Sequence, residues 1–139
     1  MRRCAFLNPC ALGAQLVLLF LLGLFGPAAT AAEKLTPDSV YGLWQVDAKV
    51  LTKDQQEAAA AAAKVENFGV TLTLRTARVI FAADTVVTGM WRLDDATPTS
   101  AILVIQPKGA DEQRFHLTLQ KGHLTLDECP GKLPLRNAR

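Results

Sequence analysis

Residues 114–127 read Arg114-Phe115-His116-Leu117-Thr118-Leu119-Gln120-Lys121-Gly122-His123-Leu124-Thr125-Leu126-Asp127. Apolar and polar side chains alternate on both sides of Lys121-Gly122, the period of strands whose successive side chains point to opposite faces. A two-residue turn at Lys121-Gly122 fixes the register of an antiparallel hairpin. Gln120 then faces His123, Thr118 faces Thr125 and His116 faces Asp127 on a polar face. Phe115, Leu117, Leu119, Leu124 and Leu126 share the other face, which needs a core to cover it.

Working outward, the same period recurs upstream in Val70–Arg75, Arg78–Ala82, Thr85–Leu93 and Ala101–Gln106. Asp94-Asp95 and Pro107-Lys108-Gly109 supply turns between some of these runs. The connections are too short for parallel crossovers, so the pairing is antiparallel. Ahead of them, after a turn at Thr36-Pro37-Asp38-Ser39, Tyr41–Asp47 reads as a first strand with Gly42, Trp44 and Val46 on one face. Thr52 and Gln55 have capping-box spacing, and Ala58 to Ala63 have the highest helix propensity available. A helix is expected from Lys53 to Glu66. Leu133-Pro134-Leu135-Arg136 can close against the first strand, with Pro134 confined to an edge or bulge. The expected fold is mainly β: an antiparallel up-and-down meander closing into a small barrel, with one α-helix between the first two strands. Closure removes the exposed edges an open sheet would carry.

The chain has 139 residues, 15 Lys plus Arg and 13 Asp plus Glu. Arg2 and Arg3 are the only charges in residues 1–31, so residues 32–139 are formally neutral. That excludes a strongly basic nucleic-acid surface. Arg2-Arg3, the apolar run Ala11–Phe25, Gly26-Pro27 and Ala29-Thr30-Ala31 have the layout of a secretory signal peptide over residues 1–31, with cleavage after Ala31. The run is shorter than the ~20 residues of a membrane span. Residues 32–139 are then one exported domain, periplasmic or extracellular, with no membrane attachment after cleavage. Cys4 and Cys10 fall in the leader, leaving Cys129 without a disulfide partner in the domain.

Gly42-Leu43-Trp44, within the pattern Gly-x-Trp-x-x-Asp ending at Asp47, resembles the opening strand of lipocalin and calycin barrels. The helix after that strand is similar to the small secreted lipocalin-like domains of bacteria. A second Gly-x-Trp, Gly89-Met90-Trp91, opens a later strand. The resemblance implies a barrel whose end is closed by Trp44 stacked with Arg136. It also implies a binding function for a small apolar or amphipathic ligand. The chain is shorter than the family's barrels, which implies a small interior.

The inward positions that would line such a site are Trp44, Val46, Leu72, Leu74, Phe81, Trp91, Leu103, Phe115 and Leu117. The other reading of those same residues is a packed core. In that case the domain is an envelope protein-interaction module, an inhibitor or assembly factor. Catalytic groups are sparse. His116 opposite Asp127 reads as a polar cross-strand pair, Ser39 and Ser100 have no histidine at motif spacing, and Asp94-Asp95 and Asp111-Glu112 read as loop carboxylates. The domain is therefore expected to be non-enzymatic, with no cofactor, no metal and no nucleic-acid partner.

Overall fold

The hairpin forms in the expected register. In the computed structural model, which describes residues 32–139, Thr118 pairs with Thr125 and Gln120 with His123. Lys121 and Gly122 both take the positive φ values that such a two-residue turn requires (51° and 78°). The expected signal peptide, residues 1–31, lies outside the described residues.

A short helix α1 (Pro37–Val40) precedes strand β1 (Gly42–Val46), a 3-10 turn (Ala48–Val50) and helix α2 (Lys53–Ala62). Seven strands follow: β2 (Gly69–Leu72), β3 (Thr76–Ala82), β4 (Thr85–Asp94), β5 (Ser100–Pro107), β6 (Gln113–Gln120), β7 (His123–Leu126) and β8 (Leu135–Asn137). Each pairs with its sequence neighbour, and β8 returns to β1, so the sheet is a closed eight-stranded antiparallel barrel. The seam pairs Trp44 with Asn137, Gln45 with Arg136 and Val46 with Leu135. Two backbone bonds extend it, Ala138 N–H to Leu43 O (2.8 Å) and Asp47 N–H to Pro134 O (2.9 Å).

Parity places alternate residues inside, and the inside is filled. Leu103, Ile105, Leu124, Leu126, Leu133 and Leu135 have no exposed surface. Burying each such side chain is worth roughly 1.5–3 kcal/mol. Both barrel ends are stoppered by local chain. At one end Val40 is fully buried and its carbonyl accepts the Trp44 indole N–H (2.8 Å). Beside it Tyr41 meets Trp91 edge-on at 5.8 Å. Towards the other end lies α2, tied to the 3-10 turn Pro130–Lys132 between β7 and β8. Gln55 Oε1 accepts the Thr52 N–H (3.1 Å), and its Nε2 donates to the Gly131 and Lys132 carbonyls (3.3 and 3.1 Å). One side chain thus caps the helix and anchors it.

Four expectations need correction. Leu74 is 81 % exposed rather than inward. The β2 alternation ends at Leu72, because the Thr73 hydroxyl accepts the Thr76 N–H (3.0 Å) and folds the backbone into a turn. Helix α2 stops at Ala62, four residues short of Glu66, with turns over residues 63–67 and a left-handed Asn67 (φ 57°). Arg136 does not close the barrel on Trp44. It stands opposite Gln45 and His123 on the outer face, and Asn137, opposite Trp44, donates from Nδ2 to Tyr41 O (2.9 Å). His116 lies opposite Asp127 as expected, its carbonyl accepting the Asp127 N–H (3.0 Å), but its side chain pairs with Glu128 instead, with Nδ1 2.7 Å from Oε1.

Candidate functional site

Of the nine inward candidates, Trp44, Leu72, Leu103, Phe115 and Leu117 belong to the buried core, and Val46, Phe81 and Trp91 pack against it. Leu74 stands apart in its turn. Only Val46 also lines a cavity outside the barrel. That cavity, about 410 Å3, is an open groove between α2 and the end of β1. Gln45, Val46 and Ala48 form one wall, Ala59, Ala62 and Ala63 the other, and Val65, Asn67 and Phe68 the floor leading into β2. The alanine run explains its existence. Methyl groups let α2 form readily but leave the volume beside β1 unfilled, where larger side chains would have packed it. Phe68 is held at the groove by Phe81 (5.6 Å between rings), itself edge-on to Phe115 in the core (6.3 Å).

A second cavity of about 170 Å3 adjoins the first along three shared residues, Gln45, Asn67 and Phe68. It is more polar, with Thr71 and Arg78 in its lining. Arg78 lies on the outer face of β3 between Thr71 and Thr88 and is exposed. Among the described residues it has no carboxylate within 4.0 Å. Two other outer-face arginines, Arg92 and Arg114, are occupied by carboxylates. Arg92 contacts Asp94 (3.1 Å) and Glu112 (2.9 Å), and Arg114 lies 3.7 and 3.8 Å from the same two carboxylates. Val104 faces outward between them yet has no exposed surface, which the long arginine stems account for. This network also explains the loop carboxylates Asp94 and Glu112 without invoking acid–base chemistry.

Among the described residues the most buried charged group is Asp47, 8 % exposed, the final residue of the Gly-x-Trp-x-x-Asp pattern. Its Oδ1 accepts the Lys49 N–H (3.1 Å) and its Oδ2 the His123 Nε2–H (2.9 Å). The pairing spans 76 positions, and sequence reasoning missed it; the aspartate of the pattern is the one sequence signal that marked the position. The His123 hydrogen bond, then the Lys49 amide, hold the Asp47 carboxyl below its ordinary value of 3.8. A depressed carboxylate stabilises the fold above its ordinary pKa, and that contribution is lost as pH falls through the folded-state value. Asp47→Asn is therefore expected to lower the melting temperature at neutral pH. The gap between variant and wild type should close as pH drops below 3.8. A gap independent of pH in thermal scans would contradict the assignment.

Among the described residues no cluster of three or more histidine, cysteine or carboxylate side chains is placed to hold a metal. Cys129 is 2 % exposed, and burial pushes its thiol up to about 11, which keeps it protonated and unreactive at neutral pH. No helix among the described residues is long and apolar enough to cross a membrane. No protein-family model, curated protein or solved structure matches the chain.

Proposed function

We propose that this is an exported, non-enzymatic, lipocalin-like binding domain for a small apolar or amphipathic ligand, and that the ligand sits in the groove beside α2. The observation that carries this reading is the 410 Å3 cavity. Its volume lies within the roughly 300–1,000 Å3 of small-molecule sites, and most of its lining is aliphatic or aromatic. The barrel interior is the poorer candidate because its inward side chains already fill it. The leader-like residues 1–31 support export to the periplasm or beyond.

Titration with dodecanol, followed by NMR, tests this reading. Amides of Ala59, Ala62, Val65 and Phe68 should shift, while those of Leu103 and Leu117 stay still. Ala63→Trp, at an exposed position on the groove wall, should weaken binding by about tenfold or more, since a bulky ring occupies the ligand's space. Shifts centred on Leu103 and Leu117 would place the site inside the barrel instead. No shifts at all would leave the filled barrel as a protein-interaction module for an envelope partner, an alternative that the solid interior favours.

A further inference from the structure

We propose that the groove selects a dissolved single-chain amphiphile with an anionic head, the tail lying beside α2 and the head held by Arg78. This rests on the groove reading above and adds the ligand's charge. The two cavities form an apolar compartment and a smaller polar one meeting at Gln45, Asn67 and Phe68. The polar compartment presents donors and one cation: the Gln45 and Asn67 amides, the Thr71 hydroxyl and the Arg78 guanidinium. Among the described residues none of these four side chains makes a hydrogen bond shown by the structure, whereas Arg92, on the neighbouring β4, is bonded to two carboxylates. A guanidinium fork matches a carboxylate bidentately, and the head group supplies the anion that the protein does not.

Glu66 is the one carboxylate among the residues lining these two cavities and a third. It lines the third, of about 290 Å3, together with Asn67 and Arg78, beyond the salt-bridge distance. A cationic head would have to approach Glu66 past Arg78, so the same geometry disfavours cationic amphiphiles.

Calorimetric titration of the domain with dodecanoate, dodecanol and dodecylammonium, each below its micelle concentration, tests the proposal. Dodecanoate should bind about tenfold more tightly than dodecanol, the scale of one charge-assisted hydrogen bond at an exposed site. Arg78→Gln should abolish that preference and leave dodecanol affinity unchanged, and Arg78→Lys should keep part of it. Equal binding of dodecanoate and dodecanol overturns the head-group assignment while the groove reading stands. A preference that survives Arg78→Gln, or tighter binding of dodecylammonium, overturns it as well. If the domain sediments with anionic phospholipid vesicles but ignores dodecanoate, the dissolved ligand is wrong. Failure to bind any of the three overturns the groove reading together with this one.

Discussion

Gly69→Ala is expected to cost about 3 kcal/mol or more, the upper end of the strain held by a single backbone position, with a steric clash added. Gly69 opens β2 at φ 137°, a region open to glycine and hostile to other residues. A Cβ there would run into the Trp44 carbonyl oxygen of β1. That atom belongs to the paired backbone, so it cannot rotate away as a side chain would. The strain therefore falls on the β1–β2 ladder, which also carries Gln45 and Val46 of the groove wall. Gly109→Ala is the control. Its φ is also positive (74°), but nothing lies within 4 Å of the added atom, so only a left-handed penalty of about 1–2 kcal/mol applies. Urea unfolding monitored by circular dichroism separates the two. Equal losses would mean that the carbonyl contact contributes nothing.

Leu103→Ala should cost about 2–5 kcal/mol, the range for emptying a fully buried leucine site. Leu103 has no exposed surface and lies between Leu93 and Phe115 across the sheet. In a domain of this size a loss of that order lowers the melting temperature by about 10 °C or more. It should leave dodecanol affinity per folded molecule unchanged, because the groove shares no lining residue with this position. An altered affinity at full folding would return the site to the interior.

Local signals account for the parts of the fold that sequence reasoning reached. Alternation marked seven of the eight strands, and the Lys121-Gly122 turn fixed one register completely. Pro134 lies just before β8, which is paired on both sides, with β7 and β1, rather than at an edge or bulge. Errors came where one local interaction interrupted a period. Val70 to Leu74 alternates without a flaw, yet two threonine hydroxyls three positions apart bend the chain before Leu74 arrives. Arg136 failed by one residue, which in a strand is the whole difference between inside and outside. His116 kept its place opposite Asp127, but Glu128, which also accepts the His116 N–H, took its side chain.

The candidate site was less legible than the fold, for a different reason. The groove is a space between elements, set by how far the alanine helix stands from β1, and no alternation encodes that distance. The nine residues expected to line a ligand were correct as inward positions for all but Leu74, but inward proved to mean packed. Arg78 looked like any polar strand residue. It stands out only once the fold brings it, without a carboxylate partner, into the lining of the cavity that adjoins the groove.

The seam has a consequence for the order of assembly. Seven of the eight strand pairings join sequence neighbours, and the eighth joins β1 to β8. A chain emerging from its N-terminus therefore builds hairpins early but cannot complete the cylinder until residues 135–137 are available. Until then the first strand has one unsatisfied side and Val46 waits for Leu135. Synthesis and final closure are separated in time, and if the protein is exported as we propose, that interval keeps the polypeptide in an open form that can still be threaded.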